Sequence, residues 1–378
     1  MQKKLGIYVH IPFCEKKCDY CNFVSYCTNN TEKIKYLNSI IMEIGLRAKE
    51  FENYEVDTIF VGGGTPTCMP HGAIYRILNA IYSSFKVLTT AEITVEANPN
   101  SINFGVLQEL KKAKVNRLSI GLQAYNNKLL KQLGRLHTKK QFDDAVRRAK
   151  LVGFKNINVD LILGIPNQKL YQVKNEIRHL IKLGINHISA YGLIVEEGTK
   201  LNADIESGKL KNLTEEKQIK MYNYLTKKLA KYGINRYEVS NFAKSGYESK
   251  HNLKYWNNEE YLGLGAVSSS YVNGKRWKNV DALEEYNTII LTKKIAVEEI
   301  ETLKTADKIE ERIMLSLRTT KGLDLQKFKE DFSYDLLIEK SAEIEKLKAN
   351  NLIKIENNFL SCTNNGFHVL NYIILELV

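Results

Sequence analysis

The sequence predicts an α/β chain. A partial (β/α)6, TIM-like barrel spans residues 1–243, and a smaller α+β, winged-helix-like domain spans residues 244–378. Two observations predict this. Six short apolar runs alternate with longer amphipathic segments up to about residue 243. That rhythm then stops, and the tail reads as helices around a single hairpin. A chain of 378 residues is long enough for two cores of unequal size.

The strand candidates are residues 5–11, 56–61, 92–97, 117–123, 157–163 and 187–194. Most are rich in Val and Ile with little polar alternation, which predicts strands buried on both faces. Helical stretches such as 31–50, 72–84 and 168–183 separate them. Right-handed crossovers carry all strand C-termini to one face, where a functional site is expected. Thr214 is the expected N-cap of the sixth helix, which ends near Gly233. Lys217 at the third helical position denies it a full capping box. Beyond residue 243, the Gly/Ser/aromatic stretch 261–273 predicts a strand pair. Helices are expected over 309–317, 324–332, 338–349 and 366–377. Runs 352–355 and 359–362 flank Asn357-Asn358, a hairpin turn signal. Acidic and basic residues are mixed in this tail, so no nucleic-acid partner is expected.

Composition excludes several classes. Hydrophobic content of 44% and charged content of 26% fit a soluble protein. No apolar run approaches the ~18 residues of a membrane helix. The first residues run directly into strand-like sequence, which predicts no targeting peptide and a cytoplasmic location. The net charge of +12 comes from lysines scattered along helices, which read as a solvated surface. Six cysteines without a leader segment read as reduced thiols rather than disulfides.

Three of those cysteines, Cys14, Cys18 and Cys21, are spaced C-x3-C-x2-C. A [4Fe-4S] cluster has four irons and prefers thiolates, so three ligands leave one iron open. An amine and a carboxylate on one small molecule can chelate that iron, and S-adenosylmethionine (SAM) carries both. A structural zinc site would want four ligands. His10 is the available fourth, but it sits in an apolar run and reads as a core residue. Gly62-Gly63-Gly64-Thr65 follows the second strand, where glycines let backbone approach a ligand. Glu96, Gln123 and Asp160 are polar exceptions in apolar strands, and an unpaired buried carboxylate is costly. Their comparable heights suggest one shared polar ligand, such as a ribose, with Arg135 placed to meet a carboxylate. Separate structural hydrogen bonds are the alternative.

Together the runs HIPFC-x3-C-x2-C, GGGTPT, EANP, GLQ, LGRLH and DLILGIP resemble the coproporphyrinogen III dehydrogenase family of radical-SAM proteins, over residues 7 to about 200. The resemblance implies a [4Fe-4S] cluster on Cys14, Cys18 and Cys21. It implies SAM beside Tyr8, with Gly63, Gly64 and Thr65 at its methionine end. Glu96, Gln123, Arg135 and Asp160 would surround it, and the backbone near Ile162 and Ala190 would face the adenine.

Two departures select a branch. Phe23 stands where the resemblance to the decarboxylases of this family would place a fourth cysteine, and Cys14 arrives almost at once where they carry a long N-terminal extension. The chain instead resembles the HemW-like haem-chaperone branch. His251-Asn252-Leu253-Lys254-Tyr255-Trp256 matches that branch's H-N-x-x-Y-W run. This implies haem as a further cofactor, with His251 as axial ligand and Tyr255 and Trp256 against the porphyrin. The bland reading makes His251 a helix-capping residue and both aromatics core. The implied function is a haem carrier serving apo-haemoproteins such as membrane cytochromes, with peripheral membrane contact and a homodimer both compatible. Oxidative decarboxylation of coproporphyrinogen III and radical methylation of a heterocycle stay open as enzymatic alternatives, and no catalytic residue is assigned.

Overall fold

Polarity alternates residue by residue along the first strands, and that alternation builds the barrel. In β1 (Lys3–Ile11), Leu5, Ile7, Val9 and Ile11 are fully buried in the apolar core. Tyr8 and His10 point the other way and bond each other, Tyr8 Oη to His10 Nδ1 at 2.9 Å. The pattern repeats in β2 (Tyr54–Gly63), β3 (Val87–Ala97), β4 (Arg117–Gln123), β5 (Asn156–Leu163) and β6 (His187–Gly192). These six strands pair in sequence order, all parallel. The computed structural model describes residues 2–378.

The strands are largely buried on both faces, as expected, but the two faces differ in polarity. One face is apolar and lies under helices. The other carries Thr58, Glu92, Glu96, Arg117, Ser119, Asn158, Asp160, His187 and Ser189 into the barrel. The helices are α1 (Asn30–Ala48), α2 (Ala73–Ser84), α3 (Phe104–Lys112), α4 (Asn127–Gln132), α5 (Lys139–Leu151), α6 (Leu170–Lys182), α7 (Lys200–Glu206) and α8 (Glu215–Ala230). Asn29 caps α1 by accepting from the Glu32 N–H at 3.1 Å. Thr214 does precede α8, but its side chain makes no capping hydrogen bond.

The sheet continues past residue 243. Strands β7 (Asn235–Arg236) and β8 (Asn241–Ala243) close antiparallel onto β6. After α9 (Lys250–Trp256), strand β9 (Tyr261–Leu264) adds to β1 on the opposite edge, in parallel. Strands β10 (Ser269–Val272), β11 (Lys275–Asn279) and β12 (Val297–Thr302) extend it antiparallel, with α10 (Leu283–Leu291) between the last two. The result is one 12-stranded sheet. The boundary expected at residue 243 falls inside it.

A second apolar core begins at Ile313. It gathers α11 (Thr305–Ser316), β13 (Leu323–Asp324), α12 (Leu325–Phe332), α13 (Leu336–Glu339), α14 (Ser341–Ala349), β14 (Ile353–Glu356), β15 (Phe359–Cys362) and α15 (Leu370–Leu377). The expected helix over 338–349 breaks at Lys340. Asn357 and Asn358 take φ of 49° and 67°, the left-handed pair that a tight hairpin needs. We propose the division between the two units near residue 303, where the large sheet ends.

Candidate functional site

The cysteine loop leaves the C-terminal end of β1 and is pinned at several points. Cys14 N–H donates to Tyr26 O at 3.1 Å, and Asp19 N–H to Leu133 O at 3.0 Å. Lys200 Nζ reaches Asp19 Oδ2 at 2.5 Å. The glycine segment after β2 lies against this loop, with Gly64 N–H on Ile11 O at 2.8 Å and Thr65 N–H on Phe13 O at 2.7 Å. A Cβ on Gly64 would sit 2.5 Å from Phe13 O, so only glycine permits that approach.

A cavity of about 470 Å³ opens between these segments at the C-terminal ends of the strands. Cys14, Cys18, Cys21, Gly63, Gly64, Thr65, Glu96, Gln123, Arg135, Asp160 and Ile162 all line it. Eleven expected site residues therefore share one wall. Tyr8 and Ala190 do not line it. Tyr8 lies beneath, holding the His10 ring under Gly63, where a Cβ would meet His10 Cε1 at 2.7 Å. The Ala190 side chain belongs to the outer core, and its N–H donates to Ser240 O at 2.8 Å.

The three cysteines are free, partly buried thiols. Burial pushes the Cys14 and Cys21 thiols up from their ordinary range. Arg135 Nη1 lies 3.5 Å from Cys18 Sγ. No three His, Cys, Asp or Glu side chains among the described residues converge on one point, as a mononuclear metal requires. Three separated thiols on a cavity wall fit a cubane, whose irons each take one ligand. The rest of the wall fits a polar cationic ligand. Glu96 and Asp160 face the cavity, and among the described residues neither forms an ion pair with a protein cation. Burial, then the charge of Asp160, pushes the Glu96 carboxyl up to about 8. Arg135 Nη2 donates to Gly121 O at 2.9 Å and to Asn98 Oδ1, while its buried Nε has no partner. Gln123 holds φ at 66° at a bulge in β4, a strained conformation that turns it into the cavity.

The H-N-x-x-Y-W segment is elsewhere. It forms most of α9, which covers the opposite end of the barrel. Glu92 accepts from the N–H of Lys250 and of His251, both at 3.2 Å. His251 is 1% exposed, with Nδ1 bonded to Thr58 Oγ1 at 2.8 Å and Nε2 to Tyr255 Oη at 2.9 Å. Both ring nitrogens are engaged, so an axial bond to haem does not fit this seating. Trp256 is half-buried, and its indole N–H has no partner.

Residues 8–180 match the family model described as the radical SAM superfamily, and residues 303–369 the HemN C-terminal domain. A heme chaperone HemW from Lactococcus lactis is 37% identical, over 98% of this chain and 96% of that protein. One from Bacillus subtilis is 37% identical, over 87% of each. The chain belongs to the HemW family of radical-SAM proteins. Among solved structures, coproporphyrinogen III oxidase (HemN) from Escherichia coli shares the fold, with a TM-score of 0.87 at 22% identity over 100% of this chain and 90% of that one.

Membership of the radical-SAM superfamily brings a [4Fe-4S] cluster and SAM, and the HemW-family cavity described above has thiols and polar groups for both. Sequence reading assigned no role to Asn98, Ser119, Tyr20 or Tyr191, which also line this cavity. Signals existed. Asn98 is the third residue of the EANP run, just past the end of β3. Ser119 lies two residues before Gly121, on the inward alternation of β4.

Proposed function

We propose that this chain is a haem carrier that delivers haem to apo-haemoproteins, membrane cytochromes among them. One observation carries the reading: the likeness to proteins named heme chaperones runs over 98% of the chain, through both cores. Phe23 supports it. This residue occupies the place of the decarboxylases' fourth cysteine and stands 73% exposed at the cavity rim. A cytoplasmic site of action with peripheral membrane contact, and a homodimer, belong to the same reading. No helix among the described residues is long and apolar enough to cross a membrane.

In this reading Cys14, Cys18 and Cys21 hold the cluster, which when bound supplies an open iron able to chelate the amino and carboxylate groups of SAM. Gly63, Gly64 and Thr65 present backbone to the methionine end. Arg135 meets its carboxylate, while Glu96, Gln123 and Asp160 receive the ribose side. The backbone near Ile162 faces the adenine. Tyr8 acts through His10 as a positioning residue.

Asp160→Ala and Gln123→Ala should each weaken SAM binding by roughly 1–3 kcal/mol while the cluster stays. Isothermal titration on cluster-loaded protein checks this, and unchanged affinity in both would make these residues structural. The same titration should show SAM affinity rising between about pH 7 and 9. Glu96 is largely protonated at neutral pH, since its carboxyl lies at about 8. A cationic ligand beside it favours the carboxylate, so binding releases a proton. Glu96→Gln should flatten the profile.

For haem, saturable binding with a Soret band is expected, and it should survive replacement of all three cluster cysteines by Ala. His251→Ala should lower the affinity or shift the band. An identical spectrum and affinity in His251→Ala would place the ligand elsewhere.

A further inference from the structure

Helix α9 and the cluster cavity lie at opposite ends of the barrel, yet two unbroken chains of buried and part-buried contacts join them. The first runs from the β7–β8 turn through β6 to β5. Ser249, the N-cap of α9, donates its N–H to Tyr237 Oη at 3.2 Å. Tyr237 Oη meets His187 Nε2 at 2.8 Å, and His187 Nδ1 meets Asn158 Oδ1 at 2.5 Å. Asn158 Nδ2 donates to Asp160 Oδ1 at 2.8 Å, and Asp160 lines the cavity. One tautomer satisfies every link. Asn158 Oδ1 can only accept, so His187 carries its proton on Nδ1 and Nε2 accepts from the Tyr237 hydroxyl. The oxygen of Tyr237 is then free to accept from Ser249. Each donor points toward Asp160, so the links polarise one another.

The second chain runs up β1 and β2 as packed rings. His251 stands 5.4 Å from the Phe60 ring, and Phe60 stands 6.2 Å from Tyr8. Tyr8 bonds His10, whose ring lies directly under Gly63. A Cβ on Gly62 would meet Phe60 Cε1 at 2.8 Å and Glu96 Oε2 at 2.9 Å, so this column has no slack. Gly63 N–H donates to Glu96 Oε2 at 3.1 Å, which joins the column to the cavity wall.

His251 cannot take an axial bond while α9 is seated, because both of its nitrogens are bonded and the ring is enclosed. Ligation therefore requires α9 to leave the barrel end. Departure removes the base of both chains and loosens Asp160, Glu96 and the glycine turn. A ligand that holds those groups in place favours the seated helix.

We propose that α9 is a plug whose seating is coupled to SAM binding at the far end of the barrel, so that SAM opposes haem ligation by His251. Linkage makes the effect reciprocal: haem on His251 lowers SAM affinity by the same factor. The seating half stands on the contacts alone. The haem half rests on the carrier reading above.

The test uses cluster-loaded full chain under anaerobic conditions, first without haem. Hydrogen exchange of the α9 amides should slow about fivefold or more when SAM is added, within the usual range of such couplings. The double variant Tyr237→Phe, Phe60→Leu keeps every cavity residue and should lose that response while still binding SAM. Unchanged exchange in the wild type on saturation with SAM overturns the proposal, and so does a full response in the double variant. A haem titration follows. SAM should weaken haem binding by a similar factor in the wild type and not in the double variant. Equal haem affinity with and without SAM overturns the antagonism. If the exchange response is present and no saturable haem binding occurs, the coupled plug stands, while the carrier reading and the SAM–haem antagonism drawn from it fall.

Discussion

Replacing any one of Cys14, Cys18 or Cys21 by Ala is expected to abolish the cluster. Wild-type protein reconstituted anaerobically should carry about four irons and four sulfides per chain, with the visible charge-transfer absorbance of a [4Fe-4S] centre. Each single variant should lose that absorbance, because a cubane held by two thiolates has two unprotected irons. Cys27→Ala, Cys68→Ala and Cys362→Ala should keep it. Cys27 is exposed outside the cavity. Cys68 is bonded to Phe13 O at 3.4 Å, and burial pushes its thiol up to about 11, far from a ready thiolate. Cys362 is buried in the second core. Iron and sulfide analysis decides the matter. Loss of the centre in Cys27→Ala would break the three-ligand assignment.

Glu43→Ala is expected to give the largest loss of stability. Glu43 is fully buried on α1 and accepts three hydrogen bonds. These come from Gly265 N–H at 2.7 Å, Asn279 Nδ2 at 2.7 Å and Tyr286 Oη at 2.7 Å. One carboxylate thus ties α1 to the β9–β10 loop, β11 and α10. That loop holds Val267 at φ 70°, a strained value for a β-branched residue. Truncation breaks three buried hydrogen bonds at once and leaves Gly265 N–H and Tyr286 Oη without an acceptor, while Asn279 Nδ2 keeps only Gly265 O, at a cost of about 3–5 kcal/mol. The melting temperature should fall by roughly 4–8 °C. The effect should also reach the cluster loop. Tyr36 Oη donates to His10 O at 2.9 Å and accepts from Ala266 N–H at 3.0 Å, linking the same loop to β1. Iron incorporation should therefore fall along with stability. A melting temperature within 2 °C of wild type, on the scale of a ~1 kcal/mol change, would show that the node is dispensable.

Most of the barrel was legible because the sequence repeats one physical unit. Each β/α segment couples a Val/Ile-rich run to an amphipathic helix, and the six strands appear within a few residues of their expected limits. The alternation inside those runs is present too, in Tyr8-Val9-His10-Ile11 and Arg117-Leu118-Ser119-Ile120, but only Glu96, Gln123 and Asp160 stand out from it as polar exceptions in sequence. The site residues converge because they close successive strands of one parallel sheet. What the sequence hid is non-local. Nothing near residue 261 announces that β9 pairs in parallel with β1, more than 250 residues earlier. Nor does the H-N-x-x-Y-W run reveal its surroundings. The partners of His251 are Thr58 on another strand and Tyr255 one helical turn away, and together they close the ring that the sequence offered as a haem ligand.

We propose that this radical-SAM barrel serves haem delivery rather than porphyrinogen decarboxylation. One anaerobic experiment on the cluster-loaded full chain tests it most directly. The protein is titrated with haem and then mixed with an apo-haemoprotein. In parallel it is incubated with coproporphyrinogen III, SAM and a reductant. The expected result is a saturable Soret band that moves to the acceptor protein, with no protoporphyrinogen formed. Protoporphyrinogen accumulating with turnover, from a protein that shows no saturable haem binding, would contradict the account.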